Sequence, residues 1–228
     1  ESTIPDEERE NADSPLQPDI DRIEVLTDKV ELNREVALSA VLSATAGLPG
    51  ETLSGTSQWS DYTNSDPVAA VEAQKVTVQS AVQQVPNTLV LPYQVYQKVR
   101  NHPKVIEKVQ NVRLGVVTPD VLAQIFDVEQ LLVPRALKNV ANAGQLANLA
   151  YVWGKNAYLC YVAPRPGLKR VSLIYSFVWN GAQGTVDGRL VETWRENRRK
   201  ADMVRVQKYY DLKLIATGAM YRWLSAIA

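Results

Sequence analysis

The feature that most constrains this sequence is one long amphipathic repeat between a proline and a turn rich in glycine. Its apolar positions recur three, four or seven residues apart, which is the spacing of one face of an α-helix. These positions are Ile23, Leu26, Val30, Ala37, Val41 and Ala44. Asp19, after Pro18, is the expected N-cap, and Gly47 to Gly50 is the expected stop. The sequence therefore predicts a helix of about seven turns over 19–45, a spine across which other elements pack.

Shorter elements follow, and their type changes along the chain. Asp66 before Pro67 predicts a capped helix start. The predicted helices cover 67–84, 93–100, 103–110 and 119–126. The predicted strands cover 89–91, 116–117, 128–133, 151–153, 157–162, 173–179 and a long run over 201–215 in which apolar and polar residues alternate. A helical first half and a strand-rich second half predict an α+β fold.

The first 18 residues differ from the rest of the chain. They contain many charges and three prolines, but few large apolar side chains. Such a segment cannot bury itself, so we expect it to run extended over other surfaces.

The residue types that catalysis requires are scarce. The chain has one histidine, His102, and one cysteine, Cys160. His102 directly precedes a proline at a predicted helix start, which indicates a cap or loop residue. Cys160 lies in an apolar run and is interpreted as a small buried hydrophobe. The glycines lack the spacing of a phosphate-binding loop. The sequence therefore predicts no catalytic, cofactor-binding or metal site, and no enzymatic activity.

The charge balance argues against a dedicated nucleic-acid binder. Lys plus Arg total 25 and Asp plus Glu total 25, giving a formal net charge of zero, whereas such binders usually carry a basic excess. No apolar run approaches the roughly 20 residues that a membrane span requires. One compact basic cluster stands out, formed by Arg195, Arg198, Arg199 and Lys200. It fits a solvated face, a subunit contact or a contact with nucleic acid.

Large aromatic residues are spread along the chain instead of forming one stripe. Trp59 and Tyr62 lie in polar, loop-like sequence, and the others singled out are Trp153, Trp179, Trp194 and Trp223. Aromatic residues in loops often anchor partners at interfaces. Burial in the core beneath a loop is the alternative for each of them.

Short blocks of sequence stand in a fixed order along nearly the whole chain. In the first half they are IPDEER at 4–9, NADSP at 11–15, LSGTSQWSDY at 53–62, PNTLV at 86–90 and NHP at 101–103. In the second half they are GVVT at 115–118, FDVEQLLVPR at 126–135, YVWGKN at 151–156 and PRPGLK at 164–169. Each block is weak by itself. Together they resemble a family of tailed-phage and prophage major capsid proteins.

The resemblance implies the HK97-type capsid fold, in which a long spine helix belongs to a peripheral P-domain and a compact A-domain reaches toward the five- and six-fold axes. It assigns 1–18 to an extended N-terminal segment, 19–64 and 176–228 to the P-domain, and 65–175 to the A-domain. That fold also places an N-terminal arm and an E-loop before the spine helix, for which 18 residues are too few. We therefore expect both to be absent from this chain and the native gene product to extend upstream of Glu1.

The function implied by the resemblance is that of a structural major capsid protein in the virion. Identical subunits would assemble as pentamers and hexamers, in the bacterial host cytoplasm, into an icosahedral phage head around double-stranded DNA. Portal, decoration and scaffolding proteins are further expected partners, with weak, non-specific contact to packaged DNA and none to a membrane. Two alternatives stay open: the shell protein of an encapsulin-like bacterial nanocompartment, and a soluble module that binds a ligand or protein.

Overall fold

The computed structural model of the chain describes residues 1–13, 15–44, 46–110, 117–167, 169–181 and 184–228. The chain divides into two compact units, each made of two segments. The first unit combines Glu1–Leu38 with Ser176–Lys213, and the second combines Ser39–Tyr175 with Leu214–Ala228. The assignment of a P-domain and an A-domain to ranges of the chain stays a prediction.

Helices dominate the first half of the chain and strands the second, which confirms the predicted α+β class. The helices are α1 (Asp6–Glu10), α2 (Pro18–Ala44), α3 (Pro67–Val82), α4 (Tyr93–Arg100), α5 (Pro103–Gln110) and α6 (Pro119–Ile125). The strands are β1 (Ser2–Pro5), β2 (Gly50–Thr52), β3 (Thr88–Val90), β4 (Gln130–Leu132), β5 (Leu137–Asn139), β6 (Leu149–Tyr151), β7 (Ala157–Cys160), β8 (Ile174–Val178), β9 (Arg189–Glu196), β10 (Ala201–Lys208), β11 (Tyr210–Leu214) and β12 (Met220–Leu224).

The long helix α2 confirms the predicted spine, with one correction at its start. It begins at Pro18, so Asp19 lies inside the first turn and is not the N-cap. Proline suits the first helical position because its φ is already helical and its missing N–H would be unpaired there. Only Ser39 and Leu42 are buried among the 27 residues of α2. The predicted apolar face is half-buried from Ile23 to Val41 and exposed at Ala44.

The first unit contains an antiparallel sheet with the strand order β1-β10-β9. β9 and β10 form a hairpin whose eight-residue strands are joined by a turn over 197–200. β1 pairs with the other edge of β10, from Ser2 opposite Val204 to Pro5 opposite Ala201. The prediction of an extended segment over 1–18 is wrong for α1, which is helical. Three acidic residues in its first turn favour a helix there, because they face the positive end of the helix dipole.

The second unit is built around a five-stranded sheet with the order β2-β12-β7-β3-β4. The central strand β7 is antiparallel to both of its neighbours, and all four of its residues are buried. The edge strands β2 and β4 run parallel to β12 and β3. Apolar side chains from α3, α4, α5 and α6 share the core of this unit with the sheet. Its buried members include Val71, Leu89, Val95, Leu122, Leu159 and Trp223.

Several predicted strands have different bounds because the pairing partner, and not the local pattern, decides where a strand ends. The strand predicted over 151–153 is wrong, since β6 ends at Tyr151 and a turn follows. The run over 201–215 is two strands separated at Tyr209, whose N–H donates to the Gly188 carbonyl at 2.7 Å. The strand over 128–133 shortens to β4. Of the strand predicted over 116–117, residue 116 lies outside the described residues and Val117 is not in a strand.

Candidate interaction surfaces

His102 is a buried helix cap. Its side chain is fully buried, and its Nδ1 accepts a hydrogen bond from the Lys104 N–H at 3.2 Å in the first turn of α5. Nε2 therefore carries the proton and faces Ser65 Oγ at 3.2 Å. The Ser65 hydroxyl donates in turn to the Asp61 carbonyl at 2.7 Å. The prediction of a cap residue is confirmed.

The stability of the chain should fall as the pH drops below about 6.5, the usual pKa of histidine. Burial lowers the pKa of His102 in the folded chain, with Asp66 opposing and Lys104 reinforcing the effect. As the pH falls, the unfolded chain therefore takes up the proton before the folded chain does. The contribution of neutral His102 to the free energy of unfolding is fully present above about pH 6.5 and decreases below it. We expect a loss of about 1 kcal/mol between pH 7.5 and 5.5, measured by urea unfolding.

The matched control is His102→Asn, which keeps a capping side chain but cannot titrate in this window. Its stability should change little between the two pH values. Because the chain has a single histidine, its imidazole proton resonance can also be followed directly by NMR. A folded-state resonance that titrates near pH 6.5 would contradict the prediction.

Cys160 is fully enclosed in the central strand β7. Burial raises the pKa of its thiol to about 12, and Sγ lies 3.5 Å from the Thr88 carbonyl. The interpretation as a small buried hydrophobe is confirmed. Among the described residues, no group of three His, Cys, Asp or Glu side chains is placed to hold a metal ion. In that same part of the chain, no helix combines the length and apolar character needed to cross a membrane.

The aromatic residues separate into a buried and an exposed set. Trp59 is 1% exposed and its ring centroid lies 5.3 Å from that of Trp223, so core burial is the correct alternative for this loop residue. Trp153 is also buried and packs edge-on against Tyr158. In contrast, Trp179 of the first unit is 57% exposed. Of the two exposed tryptophans on that unit, Trp179 and Trp194, it has the larger exposed fraction and is the better placed to contact a partner.

A set of ion pairs joins α1, the start of α2 and the β9–β10 hairpin in the first unit. Arg9 contacts Asp19 and Asp202, each at 2.6 Å. Arg195 binds Asp6 with both terminal nitrogens and Asp202 at 3.3 Å. Hydrogen bonds from Arg195 and Arg9 lower the pKa of Asp6 and of Asp202. Each pair is at the surface and adds little stability by itself, but together they fix α1 against the hairpin.

The predicted basic cluster is consequently divided by the structure. Arg195 points into the ion pairs, whereas Arg198, Arg199 and Lys200 are exposed at the turn between β9 and β10. We call these three residues the basic turn. A backbone hydrogen bond of 3.1 Å from Arg199 to Glu196 closes it. Within the described part of the chain, no carboxylate lies within 4 Å of Arg198 or Arg199.

The β5–β6 hairpin of the second unit exposes apolar side chains that sequence reasoning missed. Leu146 is 95% exposed, and the hairpin also exposes Leu137, Val140 and Leu149. The segment 139–148 is rich in asparagine, which is typical of a loop, so the only local signal of a contact surface was its apolar residues Val140 and Leu146. Contiguous apolar side chains on a surface usually mark a contact with another molecule. The described residues thus offer exposed contact surfaces on both units.

Comparison with known proteins gives this arrangement a context. No protein-family model matches the chain. Two curated relatives, each 29% identical, are the major capsid proteins of Burkholderia phage BcepMu and Pseudomonas phage JBD67. The matches cover 70% and 71% of this chain and 51% and 52% of the relatives. The chain thus spans about half the length of the curated relatives it matches.

Solved structures agree with the sequence matches. A phage-related protein from Bordetella bronchiseptica RB50 is 25% identical and superimposes with a TM-score of 0.79, covering 99% of this chain and 74% of that one. A putative capsid protein of a prophage of E. coli CFT073 is 12% identical, with a TM-score of 0.55 over 95% and 72% of the two chains. The second likeness concerns the fold alone. In sequence this chain is similar to phage major capsid proteins, and its α+β fold is of the HK97 type.

Proposed function

We propose that the chain is the shell-building part of a phage major capsid protein, a structural protein without enzymatic activity. In this proposal it assembles as pentamers and hexamers into an icosahedral head that encloses double-stranded DNA. The observation that carries the proposal is its similarity to two curated phage major capsid proteins. The sparse burial of α2 supports it, because a 27-residue helix with two buried residues needs cover from elsewhere. The exposed apolar hairpin supports it in the same way.

The predicted domain assignment is part of this proposal. The P-domain would comprise 19–64 and 176–228, and the A-domain 65–175, close to the five- and six-fold axes. Portal, decoration and scaffolding proteins are proposed as partners, and the proposed location is the virion after assembly in the host cytoplasm. The balanced charge of the chain supports only weak, non-specific contact with packaged DNA.

Electron microscopy of the purified chain, combined with light scattering over a range of concentrations, tests the proposal. We expect pentameric and hexameric rings or closed shells, because many moderate contacts repeated by symmetry give a stable assembly. Cryo-electron microscopy of virions would then place 65–175 around the rotation axes. A chain that stays monomeric or dimeric at all concentrations would favour a soluble binding module. Shells from native cells that enclose enzymes instead of DNA would favour an encapsulin-like compartment.

A further inference from the structure

The first unit has a groove beside the basic turn whose charge is opposite to that of the turn. The groove lies between α1 and the start of α2. Its charged lining consists of Glu7, Glu8 and Asp21 with one basic residue, Arg22. The rest of the lining is Asn11 and the apolar residues Ala12, Leu16 and Pro18. We call this surface the acidic groove.

The acidic groove is exposed and its charge is only partly neutralised within the chain. Arg22 pairs with Glu8 at 3.0 Å. Glu7 and Asp21 have no basic side chain within 4 Å among the described residues. Leu16 in the same groove is 63% exposed. A groove that combines an exposed leucine with two carboxylates lacking a basic partner fits a ligand with a cationic head and a long aliphatic stem, and arginine and lysine side chains have this character.

The basic turn offers that chemistry at the same corner of the first unit. The Asp6 N–H donates to the Lys200 carbonyl at 3.1 Å, which holds the turn next to α1. Arg198 and Arg199 remain without a carboxylate partner among the described residues. A protein that carries two complementary surfaces can bind a second copy of itself head to tail, and such contacts form a ring when the rotation between neighbours closes.

We propose that the basic turn of one copy docks into the acidic groove of a second copy. This inference rests on the proposed self-assembly and adds the surfaces that make one of its contacts. A nucleic-acid phosphate is the competing ligand for the basic turn. The adjacent start of α1 disfavours it, because a phosphate chain at the turn would meet like charge at Glu7, which has no basic partner among the described residues.

Charge reversal tests the contact from both sides. Two double variants each reverse the charge of one surface: Arg198→Glu with Arg199→Glu in the turn, and Glu7→Lys with Asp21→Lys in the groove. Each should raise the dissociation constant for self-association about 100-fold, because like charges then face each other. Sedimentation velocity on the complete chain measures the change. Adding salt to about 0.5 M should also raise the dissociation constant of the unmodified chain, since salt screens the attraction between the charges.

The informative variant carries all four substitutions, because the turn is then acidic and the groove basic. Docking between copies is restored in this swapped variant, and self-association should return to within about threefold of the original chain. The control variant carries Arg165→Glu and Lys169→Glu, an equal charge change at another exposed turn. Its dissociation constant for self-association should be unchanged. Thermal unfolding of every variant identifies any that fail to fold.

The outcomes separate this inference from the function on which it rests. If the unmodified chain never self-associates, the proposed function fails. If it associates but the reversal variants associate equally well, or the swapped variant stays dissociated, only the docking contact is wrong. A variant with the acidic turn that assembles normally but no longer co-sediments with double-stranded DNA would overturn the contact in favour of nucleic acid.

Discussion

Replacing Trp59 by alanine should cost the second unit about 3–5 kcal/mol of stability, the range for removing a large buried aromatic side chain. Trp59 is almost completely buried, and its backbone N–H donates to the Ala226 carbonyl at 2.8 Å. Its ring also packs against Trp223, an aromatic contact worth about 1 kcal/mol beyond burial. The free energy of unfolding of a typical domain is only about 5–15 kcal/mol. The variant should therefore unfold at a much lower temperature in calorimetry.

Trp179→Ala is the matched control for this prediction. The residue type and the atoms removed are the same, but Trp179 is largely exposed and its ring contacts only the edge of Tyr209 among the described aromatic pairs. Exposed substitutions usually change stability by about 1 kcal/mol or less. Equal losses in the two variants would show that Trp59 is not part of a packed core.

Gly188→Ala should destabilise the first unit by about 3 kcal/mol, from two separate causes. Gly188 has a φ of +70°, a left-handed conformation that a Cβ makes unfavourable. That Cβ would also lie 2.6 Å from the Tyr209 carbonyl oxygen and 2.5 Å from a methyl carbon of Val178. The carbonyl belongs to the backbone and accepts a hydrogen bond of 3.3 Å from the Trp179 N–H, so it cannot move without disturbing that bond.

Gly184→Ala distinguishes the two causes. Gly184 has a similar φ of +82°, but a Cβ there would meet only a side-chain methyl of Leu190 at 3.6 Å. This variant should lose only the conformational contribution, about 1–2 kcal/mol. Urea unfolding of both variants measures the difference, which we expect to exceed about 1 kcal/mol. A Gly188 variant as stable as the Gly184 variant would mean that the close approach to Tyr209 is relieved without cost.

The helices were largely predictable because their signals are local. Asp66 caps α3 by accepting from the N–H groups of Val68 and Ala69, as its position before Pro67 indicates. The predicted bounds of α4 and α5 agree with the structure. Proline is favoured at the first helical position, and α3, α5 and α6 each begin at one, so little tertiary information is needed there.

The parts that sequence reasoning missed depend on residues far apart in the chain. β12 carries no alternation strong enough to indicate a strand, and only its position between β2 and β7 makes it one. Arg9 meets Asp202 across 193 positions, a pairing that no local pattern contains. The basic cluster was visible as a group, but its division into a paired Arg195 and an exposed turn depends on where α1 lies.

The position of β12 has a consequence for how the chain folds during synthesis. This strand is made after nearly all of the second unit, yet it completes the middle of that unit's sheet. The ribosome must therefore release residues up to 224 before the hydrogen bonds of β2 and β7 are satisfied. Until then the nascent chain holds an open sheet edge, which is prone to wrong pairing. Pairings between such distant segments also form slowly, so we expect the pairing of β12 with β2 and β7 to be a late step in the folding of the second unit.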